Sequence, residues 1–281
     1  MKRGLVLEGG AMRGLFSAGV MDVMMEHGVT FDGIVGVSAG AAFGCNYKSQ
    51  QAGRAIRYNM RFAKDRRYCS LWSLLKTGDL FGAEFAYHTV PTEYDIFDND
   101  TFERSPTEFY VVCTDVVTGE AVYKRCTKGG YDLCEWIRAS ASMPVASRVV
   151  ELEGHKLLDG GMADSIPLAF FHSIGYGKNI VVLTQPEDYV KRPTRLMPLI
   201  RWRLRQYPNI VKTMEQRHTM YNRQLEYVAE SETKGETLVV RPGEKLPIGH
   251  VSHDAAEMER VYEMGRRTGE ARMADIDAFL R

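Results

Sequence analysis

Apolar residues along the chain fall into short runs punctuated by glycine. Gly4-Leu5-Val6-Leu7 reads as a buried strand, and Phe31 to Val37 as a second one broken by Gly33 and Gly36. Between them the spacing predicts a helix from about Leu15 to His27, stopped by Gly28, and another helix begins near Ala39. Two strands joined by a helix pair in parallel in one sheet. Phe109 to Thr114 is a further buried strand, and Val117 to Tyr123 a turn leading into another. Tyr131 to Ser142 sets Leu133, Trp136, Ile137 and Ser140 on one helical face, ended by Met143-Pro144. Val149 to Leu152 and Lys156 to Leu158 flank Glu153-Gly154 as a hairpin that leads into Asp159-Gly160-Gly161. Asp164 or Ser165 is expected to cap a helix with Pro167 in its first turn. Asn179 to Thr184 is another buried strand. From Pro208 to Val228, residues Ile210, Met214, His218, Tyr221, Leu225 and Val228 share a helical stripe, which makes His218 a packed core histidine. Leu238-Val239-Val240 reads as a last strand and Asp254 onward as helix. Residues 54–107 lack a clean period and read as helices and loops over the sheet. The alternation predicts an α/β fold, a three-layer α/β/α sandwich with a mostly parallel central sheet.

Charge and composition narrow the function classes. Lys plus Arg and Asp plus Glu each number 36, so no global field favours nucleic acid or membrane. The charges are segregated, however. Residues 79–108 carry eight acidic residues against Arg104, and residues 191–223 carry nine basic residues against Glu215. Both runs read as solvated faces. The five cysteines are scattered without a C-x-x-C, as expected of reduced thiols in a cytoplasmic protein rather than a disulfide frame or zinc site. No secretory leader is expected at Met1-Lys2-Arg3, and no apolar stretch reaches spanning length.

Gly36-Val37-Ser38-Ala39-Gly40 has the G-x-S-x-G shape of a nucleophile elbow, in which Gly36 and Gly40 let the chain fold sharply under an exposed serine. Acyl transfer also needs oxyanion donors and a proton acceptor. Residues 9–14 turn from a strand into a helix N-terminus, where amides are unpaired and the dipole is positive. The amides of Gly10, Ala11 and Ala39 are the expected donors. Ala11 and Leu15-Phe16 break the dinucleotide and Walker patterns that the same loop would otherwise suggest. Of the late histidines, His172, His218, His250 and His253, none lies in an evident catalytic loop, and His155 falls in the hairpin turn. Asp159 ends a strand before two glycines, Gly160 and Gly161, and becomes a workable base if burial raises its pKa. Asp115 reads as a turn anchor.

Gly9-Gly10-Ala11-Met12-Arg13-Gly14, Gly36 to Gly40, Ala139-Ser140-Ala141-Ser142-Met143-Pro144 and Asp159-Gly160-Gly161 together resemble the four landmarks of the patatin-like phospholipase family, in order. The resemblance implies a lipolytic serine acyl hydrolase with a Ser38–Asp159 dyad, acting on lipid acyl esters without a metal or other cofactor. It implies that Gly9, Gly10, Ala11 and Gly14 form the oxyanion loop and that Arg13 fixes that loop or meets negative charge. It covers about Gly4 to Thr184, giving a catalytic core over 1–185 and a helical extension over 186–281 packed on it. Glu8 stands where the family usually has Asp, and Ala11 where it has glycine; Ala11 is expected in an ordinary backbone conformation. Apolar residues at 196–204 interleaved with Arg195, Arg201, Arg203 and Arg205 suit either peripheral contact with an anionic membrane or a surface helix whose arginine stems cover core. Oligomeric state is not legible. Two other readings stay open: a Ser-His-Asp esterase of the α/β-hydrolase type, and a non-catalytic lipid-binding or regulatory protein on the same fold.

Overall fold

The computed structural model describes residues 1–281. Its centre is a single sheet of eight strands: β1 (Lys2–Leu7), β2 (Gly33–Val37), β3 (Glu108–Asp115), β4 (Ala121–Arg125), β5 (Val150–Leu152), β6 (His155–Asp159), β7 (Tyr176–Val182) and β8 (Thr237–Val240). They order as β5-β6-β3-β2-β1-β7-β8, and β4 pairs with β3 off that path. Along this order the pairings from β3 to β8 are parallel, while β4 and β6 run antiparallel to β3. The helices are α1 (Gly14–Glu26), α2 (Ala39–Lys48), α3 (Arg54–Arg61), α4 (Leu71–Thr77), α5 (Asn99–Arg104), α6 (Gly130–Ser140), α7 (Leu168–Ser173), α8 (Met197–Arg203), α9 (Pro208–Thr233) and α10 (Ala255–Leu280). Residues 85–94 form a π-helical stretch around Pro91, which accounts for the absence of a clean period there.

The parallel strands are apolar where both faces are covered, as at Leu5–Leu7, Ile34–Val37 and Ile180–Val182. Leu5, Leu7, Ile34, Val111 and Ile180 point into one core with α1, α2 and α10. Val6, Val35, Val37, Val112 and Val181 point into the other with α7 and α9. The three layers are therefore helix, sheet, helix. Residues 186–281 straddle the sheet: β8 lengthens it, α9 lies on one face and α10 on the other. A smaller cluster joins Ile200, Leu204, Ile210 and Met214 to Leu158 and Met162.

Two expectations change. Neither Asp164 nor Ser165 caps α7; Pro167 is its N-cap, with no side-chain bond. The Asp164 carboxylate instead accepts from Tyr123 Oη at 2.7 Å and from Gln224 Nε2 at 2.6 Å, tying α9 to β4. Asp79 and Asp95, from the acidic run, are buried and ion-paired with Arg148 and with Arg54 and Arg57 rather than solvated. Asp115 does anchor the turn after β3, accepting from the Val117 amide at 2.8 Å.

Register brings the key residues to one level. Leu7 pairs with Gly36 and with Val182, Val37 with Val112, and Cys113 with Asp159. The residues after Leu7, Ser38 after Val37, and Asp159 therefore meet at the carboxyl ends of the parallel strands, where open α/β sheets place their ligands. Ser38 and Asp159 are two strands apart, about 10 Å by strand spacing, a gap their side chains span.

The α1–α10 contact sets the first stability prediction. A Cβ on Gly265 would lie 2.0 Å from Phe16 O, and one on Gly19 would lie 2.2 Å from Tyr262 O. Backbone meets backbone there, so Gly265→Ala forces the helices apart. We expect a loss of about 1–3 kcal/mol in urea unfolding, the usual cost of overpacking; an unchanged midpoint would show that α10 is not docked through this contact.

Candidate active site

Ser38 lies between the last residue of β2 and the first of α2, with φ 55° and ψ −119°. A serine at a helix N-cap ordinarily spends its hydroxyl on an amide of the first turn. At this dihedral it does not, and no side-chain cap forms, so the helix leaves the hydroxyl unused. A non-glycine residue at positive φ is strained by about 1–3 kcal/mol and persists only where its surroundings hold it. The Ser38 amide donates to Ser140 Oγ at 2.8 Å, and that hydroxyl donates to Val112 O at 2.6 Å. Thus α6 ties the elbow to β3. The flanking glycines supply space: a Cβ on Gly36 would lie 2.5 Å from Ala41 N, and one on Gly40 would lie 2.4 Å from Leu7 O.

The glycine loop wraps the elbow from the other side. A Cβ on Gly9 would come within 3.1 Å of Ser38 Cβ, and one on Gly14 within 2.7 Å of Ala39 Cβ. Glu8 fixes the start of the loop. It is 2 % exposed, accepting from the Thr184 amide at 2.6 Å and from Tyr221 Oη at 2.6 Å. The amides of Gly9, Gly10, Ala11 and Ala39 donate to no protein acceptor, whereas the Arg13 amide is used, donating to Gly10 O at 3.1 Å. Ala11 corrects an expectation: its φ is 49°, in the left-handed region. The reason is local. Gly9 is packed against Ser38 and Gly14 against Ala39, so the path between them is fixed at both ends, and Ala11 takes this φ where the chain leaves Gly10 and enters the 3-10 turn at Ala11–Arg13.

Asp159 ends β6, and Gly160 and Gly161 begin a 3-10 turn after it. Its carboxyl accepts from the Gly161 amide at 2.8 Å, and its own amide donates to Ser142 O at 2.8 Å. A Cβ on Gly160 would lie 2.1 Å from Val112 O, so only glycine lets β6 close on β3 here. The Ser38 hydroxyl stands in polar contact with the Asp159 carboxyl, which favours its charged form. The contact is looser than a closed hydrogen bond, as is common for catalytic pairs without substrate. Burial is the dominant influence on Asp159 and raises its pKa; the Arg217 charge, Ser38 and the Gly161 amide oppose it without cancelling it.

Ser38 and Asp159 open into a cavity of about 420 Å³ that is also lined by Arg13, Lys191, Arg217 and His250. Arg217 Nε donates to Gly161 O, directly behind the acid. Burial, and then the charges of Arg217 and others, push Lys191 down to about 8. His250 is also lowered, by burial first and then by Arg13, whose Nη1 lies 3.3 Å from its Nε2. Ala11 is shared with a second, apolar cavity of about 110 Å³ running between α2, α3, residues 85–94 and α6, past Phe43, Tyr58, Val90 and Ile137. Other histidines lie elsewhere: His172 bonds Tyr227, His253 bonds Ala63 O, and His155 bonds Asp115. His218 is only half-buried, with Nδ1 unpartnered.

Three residues of the site carry no role on sequence grounds: Ser140, Lys191 and Arg217. Ser140 sits inside a landmark motif that does not by itself show what its hydroxyl holds. Lys191 and Arg217 belong to a basic run that reads as solvated, which holds for Arg192, Arg201, Arg203 and Arg205 but not for these two. One signal in the sequence does mark Arg217. It stands three residues after Met214 and four before Tyr221, on the inward stripe of α9.

No helix is long and apolar enough to cross a membrane. A family model described as patatin-like phospholipase matches residues 5–172, and one described as a domain of unknown function (DUF6363) matches residues 207–281. The chain is 28% identical over 98% of its length to the Escherichia coli protein YjjU, covering 78% of that protein. It is 30% identical to the lysophospholipase NTE1 of Coccidioides immitis over 61% of this chain, which corresponds to 11% of that much longer relative. It is likewise 30% identical to an NTE family protein of Mycobacterium tuberculosis over 59% of this chain and 44% of that one. The four motifs, the sheet that aligns them and the match over 5–172 lead to one statement: the chain belongs to the patatin-like phospholipase family, a family of lipid hydrolases.

Proposed function

We propose that the protein is a serine acyl hydrolase that cleaves lipid acyl esters through Ser38 and Asp159. The observation that carries this reading is the strained, uncapped Ser38 facing a buried carboxyl beside four free amides. Ser38 Oγ attacks the ester carbonyl carbon as its proton passes to Asp159. The oxyanion faces the amides of Gly10, Ala11 and Ala39, with Gly9 beside them, at the positive end of α2. Collapse breaks the ester C–O bond, and the departing alkoxide takes the proton from Asp159. Water then attacks the acyl-enzyme as Asp159 accepts its proton; the Ser38 Oγ–acyl bond breaks, Asp159 returns the proton to Ser38 Oγ, and the fatty acid leaves. The apolar cavity beyond Ala11 suits the acyl chain. The His-dependent alternative has less support, because the one histidine in the cavity, His250, is engaged with Arg13.

We also read residues 1–185 as the catalytic core and 186–281 as an extension that folds with it, since β8 and α10 complete the sheet and its cover. Five free thiols fit a reducing, cytoplasmic setting. Peripheral attachment draws support from α8. Leu196, Leu199 and Trp202 are exposed beside Arg195, Arg203 and Arg205, while Ile200 and Leu204 face the core.

Three measurements follow. On an acyl-ester panel of graded chain length, Ser38→Ala is expected to abolish turnover and Asp159→Asn to cut kcat/KM by about 10²–10⁴-fold. Asp159 must be ionised to accept a proton, and its pKa is raised. The acid limb of the kcat/KM profile therefore lies above the ordinary aspartate value of about 3.9. Arg217→Gln removes the largest opposing influence and moves that limb higher still. Retained activity in Asp159→Asn, with loss in His250→Ala, would overturn the dyad. For the membrane contact, vesicles rich in anionic lipid are expected to float the wild type and to float Leu199→Ser/Trp202→Ser less; equal flotation of both proteins would exclude α8.

A further inference from the structure

The cavity at Ser38 holds more positive charge than the hydrolytic chemistry uses. Arg13, Lys191 and Arg217 all line it; none closes an ion pair with a carboxylate, although the charges of Arg217 and Lys191 act on Asp159. Its two carboxylates are engaged by other donors: Glu8 by Thr184 and Tyr221, and Asp159 by the Gly161 amide. Arg217 approaches the acid through its Nε bond to Gly161 O, and its side chain lines the cavity. The Arg13 side chain meets a histidine, and its Nε is buried without a partner. The Lys191 ammonium sits 4.2 Å from the centre of the Tyr221 ring, a contact that orients a cation but does not neutralise it. Burial first, and then the charges of Arg217 and Arg13, depress the pKa of Lys191 against the opposing pull of Glu8 and Asp159. Partly buried cations without counter-ions are costly unless a ligand supplies the anion.

We infer that Arg13, Lys191 and Arg217 form a subsite for the phosphate group of a phospholipid or lysophospholipid, with the C-terminal segment supplying two of the three cations. Lys191 and Arg217 both lie beyond residue 172, and Arg217 within the 207–281 match. The extension thereby sets which leaving group the core accepts. Forked guanidinium donors match phosphate oxygens, and an ammonium adds a point charge. The phosphate then belongs to the alcohol side of the scissile ester, and the chain to the apolar cavity that meets this one at Ala11. This inference rests on the acyl hydrolase reading above.

The test compares a lysophosphatidic acid with the uncharged monoacylglycerol of the same chain. Wild type is expected to prefer the phosphate-bearing substrate in kcat/KM by about tenfold or more, the size of one charge-assisted hydrogen bond. Lys191→Met should lower that preference severalfold, Lys191→Arg should restore most of it, and thermal unfolding confirms that both variants are folded. Inorganic phosphate should inhibit the wild type competitively and Lys191→Met more weakly. Equal turnover of the two substrates by wild type, or an unchanged preference in Lys191→Met, would overturn the headgroup assignment. Inhibition by phosphate without a lipid preference would assign the subsite to free phosphate instead. If neither substrate is turned over, the hydrolase reading has failed by itself. Calorimetric titration of inorganic phosphate into wild type and Lys191→Met then decides the subsite: tighter binding by wild type supports it, and equal or no binding removes it.

Discussion

Holding Ser38 at φ 55° costs about 1–3 kcal/mol, and much of the surrounding structure serves to keep it there. Ser140 accepts its amide and passes the bond on to Val112 of the central sheet. Gly36, Gly40 and Gly9 remove the side chains that would push the turn open. The strain is useful because it withdraws the hydroxyl from helix capping. A relaxed serine in the same place would cap α2 and be a poor nucleophile. The elbow also starts α2, so the positive end of that helix lies at Ser38.

Opposed electrostatic demands meet at Asp159. A carboxylate in water is too weak a base for a serine hydroxyl, and a fully buried one would stay protonated. Burial dominates here and raises the pKa, while Arg217 and the Gly161 amide hold back the rise. The acid is thereby a stronger base than free aspartate. The cations that moderate it are contributed from outside the patatin match, so the two halves of the chain share one electrostatic site. Ala11 is a second compromise. It bends as glycine would, accepts the cost of a Cβ, and leaves its amide free.

Much of this is legible in the residues. The parallel core strands, the elbow at 36–40 and the hairpin leading to Asp159 follow from short apolar runs and glycine punctuation, which are local signals. Three things are not local. The positive φ of Ala11 is imposed by packing against the elbow, which a side chain's own preference does not reveal. Asp164 looks like a cap because its residue type suits one, but Tyr123 and Gln224, distant in sequence, claim its carboxylate. Lys191 and Arg217 look solvated because their neighbours are; the spacing from Met214 and Tyr221 marks Arg217 as inward, but only the fold turns Lys191 to the cavity. Residues 85–94 lack a period because a π-helix around a proline has no 3.6-residue repeat to show.

The central claim is that Asp159 activates Ser38, and reaction with a fluorophosphonate, followed by peptide mass mapping, tests it most directly. The account predicts a covalent adduct on the peptide bearing Ser38 in folded wild type, none in Ser38→Ala, and labelling slowed by about a hundredfold or more in Asp159→Asn. An adduct on another residue, or labelling of Ser38 at the same rate with and without the Asp159 carboxyl, would contradict it.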